Sequence, residues 1–157
     1  MTLALTLTLT ATDPEAPEAL TCLAAYATLL QVRIPGVSAA HVPVPDPQAD
    51  DFRPPHGLFL LARLGPTAAG CVSLRRHDPS TGEVKRLWVA PAARGQGIAR
   101  ALMLSLESHA RALKMTRLIL DTNAALTEAL ALYRATGWTE IPPDTGPPAD
   151  AWFEKRL

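Results

Sequence analysis

Cysteine is nearly absent, with Cys22 and Cys71 the only two in 157 residues. They lack CxxC spacing, so no disulfide framework is encoded, and each reads as a small buried apolar residue. The four histidines, His41, His56, His77 and His109, are scattered without ligand spacing, so no metal site is expected. Net charge is missing too, because 15 Lys and Arg balance 15 Asp and Glu. Such a chain has no general attraction for nucleic acid or an anionic membrane, and neither is expected as a partner. No apolar run approaches the roughly 18 residues that span a bilayer. The N-terminal MTLALTLTLTAT has no positive start and places leucine at every second position, unlike the continuous apolar block of a signal peptide. A soluble, cytoplasmic protein is expected.

Apolar residues make up 48% of the chain, enough for the core of a single domain over residues 1–157. Leu3, Leu5, Leu7 and Leu9 alternate with Thr or Ala and predict a half-buried strand. Asp13-Pro14 offers an N-cap and a first-turn proline for a helix from Glu15 to about Leu30, closed by Pro35. Six prolines between Gln31 and His56 predict a long loop, of the kind that is either functional or mobile. Strands over Gly57–Leu64, Cys71–Asp78 and Glu83–Ala90, joined by GPTAAG and PSTG, predict an antiparallel meander. Ile98, Leu102, Leu106, Ala110 and Leu113 then fall on one helical face. RLILD (Arg117 to Asp121) is a short strand, a helix from about Leu126 to Thr136 ends at Gly137, and WTEI and AWFEKRL are closing strands. The strand–helix–strand crossover makes one pair parallel. The fold class is therefore α/β of the α+β type: a mixed, mostly antiparallel sheet with one parallel pair, flanked by helices.

The stretch KRLWVAPAARGQGIARALM carries the chemistry. Gly95 and Gly97 directly precede the helical pattern, where unpaired N–H groups and the helix dipole suit an anion. Glycine lets the backbone approach that anion, and Arg94 and Arg100 add positive charge. On glycine placement alone, a tight corner and a phosphate cradle are equally good readings. A dinucleotide fingerprint fits poorly. Arg100 stands where its third glycine belongs, Pro91 to Arg94 lengthen the turn, and the upstream meander is wrong for a doubly wound sheet. No Gly-Lys-Ser/Thr follows, so the phosphate-loop ATPase pattern is absent.

RGQGIA resembles the Q/R-x-x-G-x-G/A signature of the GNAT N-acetyltransferase superfamily, with Arg94, Gly97 and Ala99 in the defining places. EVKRLWVAPAARGQGIARALM, LILDT and ALALYRATGW resemble that family's acetyl-CoA core in order and spacing, and FEKRL its closing strand. The resemblance is specific from Glu83 to Trp138 and extends elsewhere at the level of fold. It implies that the parallel pair is splayed and that acetyl-CoA is the co-substrate, with no metal. The backbone amides of Arg94, Gly95, Gln96, Gly97, Ile98 and Ala99, with Arg100 just inside the helix, would bind the pyrophosphate. Leu87, Trp88 and Val89 would line the pantetheine arm on a bulged strand, and an N–H near Val89 would polarise the thioester carbonyl. Tyr133 matches the family's tyrosine facing the sulfur and is the expected acid for the leaving thiolate. Glu83 is the candidate base; by period-two counting it shares a strand face with Lys85, Leu87 and Val89. Asn123 matches a position that contacts CoA in relatives, with a helix N-cap as the plain alternative. Trp88 serves equally well as core or as a wall of the acceptor site.

The resemblance implies direct transfer to an amine through a tetrahedral intermediate. The acceptor has no motif of its own. A small or amino-acid-like primary amine is expected first, a peptide or protein N-terminus second, and a catalytically silent CoA-binding module remains a different class of answer. A homodimer is an admitted assembly.

Overall fold

A computed structural model describes residues 5–157. Seven strands form one sheet in the order β1-β2-β3-β4-β5-β7-β6. They are β1 Leu7–Ala11, β2 Gly57–Leu64, β3 Thr67–Asp78, β4 Thr81–Val89, β5 Arg117–Thr122, β6 Thr139–Ile141 and β7 Ala151–Arg156. All pairs are antiparallel except β4 with β5, which is parallel. The helices are α1 Pro17–Arg33, α2 Ile98–Ala112 and α3 Thr127–Ala135. The expected mixed sheet is present, and the doubly wound alternative is excluded by the antiparallel meander β1 to β4.

Each face of the sheet is covered. Ile98, Leu102, Leu106 and Ala110 of α2 are buried in one cluster with Leu58, Leu60, Val72 and Leu74. Ala19, Cys22 and Leu23 of α1 pack with Phe59, Leu61 and Cys71 from the other face. Both cysteines are thus buried apolar residues, and they are free.

Some element boundaries differ from expectation. The helix starts at Pro17, with Ala16 as its N-cap, because Asp13 instead closes a local turn. Its carboxylate accepts the Glu15 N–H and its carbonyl the Ala16 N–H. The β2–β3 turn is only Gly65-Pro66, so the ladder continues through much of what reads as loop. Gly70 lies inside β3, where an added Cβ would stand 2.7 Å from the Trp88 carbonyl oxygen. Leu3 lies outside the described residues.

The proline-rich segment has only two short 3₁₀ turns, Ala39–His41 and Ala49–Phe52. It is nonetheless anchored. Phe52 is fully buried, and Arg53 pairs with Asp13, Glu15 and Asp50.

Two irregularities position the site. β4 and β5 pair only over Thr81–Glu83 against Arg117–Ile119, and beyond Glu83 the strands part. In β4 the register against β3 slips between Trp88↔Cys71 and Lys85↔Ser73, so β4 carries one extra residue. Arg86 sits there at φ +60°, a bulge conformation rare outside glycine. The bulge reverses the alternation of β4. Glu83, Lys85 and Trp88 face α1, while Val84, Leu87 and Val89 face the α2 layer. The shared face expected for Glu83, Lys85, Leu87 and Val89 is therefore corrected: the last two are turned to the opposite side.

Candidate active site

The parted strands open a cavity of about 370 Å³. Leu87, Trp88 and Val89 form one wall, and Leu126, Ala129 and Leu132 line it from the start and one face of α3. Its end is the glycine turn, with Arg94, Gly95, Gly97, Ile98, Ala99 and Arg100 in the lining. Past Glu83, β4 has no strand partner on its β5 side among the described residues. The Ala90 N–H bonds back to Ala69 on β3, so by strand alternation the Val89 N–H faces the open side. The Val89 carbonyl accepts a long bond from Arg94 Nε at 3.4 Å.

Both turn glycines are left-handed, Gly95 at φ +78° and Gly97 at φ +77°, and Gly97 is the N-cap of α2. A Cβ at either would meet nothing within 4 Å, so the turn faces open space. The α2 ladder begins with the Ala101 N–H on the Gly97 carbonyl, which leaves the N–H groups of Ile98, Ala99 and Arg100 ahead of it. Free donors, a helix dipole, two arginines and open space together fit a pyrophosphate. Glu128 is the acid in the lining. Arg33 holds it at 2.8 Å, and that hydrogen bond, chiefly, keeps its carboxyl below the ordinary value. The same pair ties α1 to α3 across the cavity.

A second cavity, about 550 Å³, lies among the end of α1, the proline-rich loop, β4, the end of β5 and the β6–β7 connection. Between the two is a junction of about 30 Å³ that shares lining residues with both. Tyr26, Lys85, Arg86, Asp121 and Tyr133 line it.

Tyr133 is 5% exposed and packs against Trp138 and Phe153, with ring centroids 5.8 and 5.7 Å away. Burial pushes its phenol well above the ordinary value, so it is a protonated donor at neutral pH. Tyr26, which touches all three cavities, is pushed up to about 12 by the same desolvation. Arg86 binds Asp46 at 2.7 Å and lies over the Phe52 ring, 4.9 Å from its centroid. Burial works against the Asp46 charge, but the Gln48 N–H and Arg86 outweigh it and hold the carboxyl low.

Three expected residues fall elsewhere. Gln96 is in the turn but outside the cavity lining. Asn123 lines the second cavity, where its amide donates to the Pro148 carbonyl and its oxygen accepts the Ala125 N–H. It is not the cap of α3 either, since Leu126 holds that place. Glu83 is bound by Arg75 at 2.7 Å and lines a separate surface hollow beside His56 and His77. Tyr26, Lys85 and Asp121 are not among the site residues expected from the acetyltransferase resemblance; strand periodicity places Lys85 and Asp121 on definite faces.

A profile of the acetyltransferase (GNAT) family matches residues 25–138. An IAA acetyltransferase of Azospirillum brasilense is 38% identical over 103 residues, 63% of this chain and 67% of that protein. Matches to N-acetyltransferases of Schizosaccharomyces pombe and Escherichia coli span 58% and 63% of their lengths, so the chain covers about three fifths of those relatives. In solved structures, a GNAT acetyltransferase of Staphylococcus aureus superposes with a TM-score of 0.81 at 15% identity, covering 97% of this chain and 99% of that one. The PaiA N-acetyltransferase of Thermoplasma acidophilum, in complex with coenzyme A, superposes at 0.72 and 16% identity over 97% and 99%. Both share the fold.

Proposed function

This chain belongs to the acetyltransferase (GNAT) family, and on that premise we propose that it moves an acetyl group from acetyl-CoA to a primary amine on a small or amino-acid-like acceptor. The observation that carries this is the junction. One cavity ends in an anion-ready turn, the other is large enough for an acceptor, and they share a small space lined by a buried phenol.

In this proposal the amides of Gly95 to Arg100 hold the pyrophosphate, and the free edge of β4 pairs with the pantetheine arm. Acetyl-CoA supplies an activated acyl group as a thioester. The Val89 N–H donates to its carbonyl oxygen, where negative charge develops as the amine attacks. A C–N bond forms, the C–S bond breaks, and Tyr133 gives its proton to the leaving sulfur. The proton released from the new amide nitrogen returns the phenol to its starting state. An acceptor arriving as an ammonium must first lose a proton to solvent. Glu83, committed to Arg75, takes part only through a water chain.

Incubation with acetyl-CoA labelled in the acetyl group, followed by mass spectrometry of a primary-amine panel, tests this. Label on an amine nitrogen is expected. Bound acetyl-CoA with no labelled amine would instead favour a silent binding module.

A further inference from the structure

We propose that the acceptor is a zwitterionic amino carboxylate, its ammonium received by Asp121 and its carboxylate by Lys85; this rests on the acetyl-transfer function proposed above. Register places the two charges. Glu83 of β4 pairs with Ile119 of β5 as the last rung of the parallel ladder. Lys85 and Asp121 each stand two residues further on, so both project from the sheet face that α1 covers. Because the strands part at this point, the two side chains are held on opposite banks of the opening. They do not form an ion pair with each other within 4 Å, yet both line the junction cavity and the larger cavity.

Neither makes a hydrogen bond to an opposite charge among the described residues. The nearest acid to Lys85 is Glu83, at 3.9 Å, beyond hydrogen-bonding range, and the other oxygen of Glu83 is held by Arg75 at 2.7 Å. Asp121 accepts one bond, from the Thr145 hydroxyl at 2.8 Å, and has no cationic partner within 4 Å among the described residues. Trp152 Nε1 donates to that same Thr145 oxygen, which fixes the hydroxyl toward the carboxylate. Arg86, the remaining charge in the junction, is committed to Asp46 at 2.7 Å, with both side chains about 10% exposed.

Among the described residues, the junction therefore presents one cation and one anion that lack a hydrogen bond to an opposite charge, separated by the splay and partly withdrawn from water, where such groups are costly. A simple amine answers Asp121 and leaves Lys85 without a hydrogen-bonded anion. A dicarboxylate answers Lys85 and is repelled by Asp121. An amino carboxylate answers both, and it seats its nitrogen on the β5 side of the slot, in the same cavity as Tyr133.

The test uses the full chain, acetyl-CoA and the twenty proteinogenic amino acids. Each amino acid that reacts is compared with its α-carboxamide and its decarboxylated amine by kcat/KM, and acetyl-CoA affinity is measured separately by calorimetry. The amino acid is expected to exceed both neutralised analogues by about tenfold or more, the worth of a charge-assisted contact. In Lys85→Met that ratio falls to near one while the acetyl-CoA Kd stays within about twofold of wild type, and Lys85→Arg restores the preference. Asp121→Asn lowers kcat/KM for amino acid and analogues alike. Transfer to the analogues as fast as to the amino acids, or to none of the twenty despite acetyl-CoA binding, overturns the zwitterion assignment alone. Failure to bind acetyl-CoA overturns the underlying function as well.

Discussion

Arg86 combines three properties that rarely meet in one side chain. It holds the left-handed φ that makes the β4 bulge, it binds Asp46, and it covers the Phe52 ring. Its pairing takes up Asp46 and leaves Lys85, its neighbour, with Glu83 at 3.9 Å as its nearest carboxylate among the described residues. Removing one partner strands a buried charge, so Asp46→Ala should lower unfolding free energy by about 3 kcal/mol, as measured by urea titration. Tyr133 and Gly97 give sharper tests of chemistry. Tyr133→Phe should lower kcat by about a hundredfold, the low end of what a positioned acid contributes, with acetyl-CoA affinity unchanged. Stopped-turnover kinetics and calorimetry separate the two effects, and an unaltered kcat would remove Tyr133 from the acid role. The signature residues were legible in sequence because their function needs backbone conformations that only glycine reaches easily. Tyr26 was not, because a tyrosine on an amphipathic helix looks the same whether it faces core or cavity.

Among the elements, β4 shows how far periodicity reaches. Alternation correctly marked the strand, but a single inserted residue reversed it halfway, moving Leu87 and Val89 to the face opposite Glu83. No local composition announces that insertion, since Arg86 is an ordinary strand residue by type. Helix ends were displaced for a similar reason. Asp13 is as good a turn former as a cap, and Pro17 offers a second first-turn proline three residues after Pro14. The proline-rich segment reads as irregular in sequence and is irregular, yet its anchors, Phe52, Arg53 and Asp46, come from long-range partners that spacing cannot reveal. Because that segment walls the larger cavity, the proposed seat of the acceptor, and not the turn, Asp46→Ala should raise the acceptor KM about tenfold while changing the acetyl-CoA Kd less than twofold, a split of the order expected when a binding wall loses its anchor. Equal losses for both ligands would argue that the loop supports the whole site.

Across the whole molecule, mixed topology was readable because each crossover and turn has its own length signature, and the splay was readable only through family resemblance. The charge pattern predicts a pH profile. Hydrogen bonds from Arg53 to Asp13, Arg63 to Glu18 and Arg33 to Glu128 are the leading causes that hold those carboxyls low, and Asp46 is held low despite its burial. A depressed folded pKa contributes stability that is complete above the unfolded value, about 4, and is lost as pH falls through the folded one. Tm should therefore drop below about pH 4, more shallowly in Asp46→Asn. Half-buried Tyr26 and buried Tyr133 have the opposite sense: their folded values are raised by desolvation, so stability declines as pH climbs past about 10, where the unfolded chain ionises first. Thermal melts from acid to alkali check both limbs.

Under the proposed function, the slot between β4 and β5 takes acetyl-CoA with its pyrophosphate on the glycine turn. The most direct measurement is a calorimetric comparison of acetyl-CoA with S-acetylpantetheine, which keeps the thioester and arm but lacks the pyrophosphate together with the phosphorylated adenosine; Gly97→Val isolates the share that falls on the turn. Several charge-assisted bonds to backbone N–H groups predict at least about a hundredfold tighter binding of acetyl-CoA. Gly97→Val, which forces a branched side chain to φ +77° at that turn, should erase most of the difference in a variant whose Tm shows it folded. Equal affinities for the two ligands in the wild-type protein, or an advantage untouched by Gly97→Val, would contradict the account.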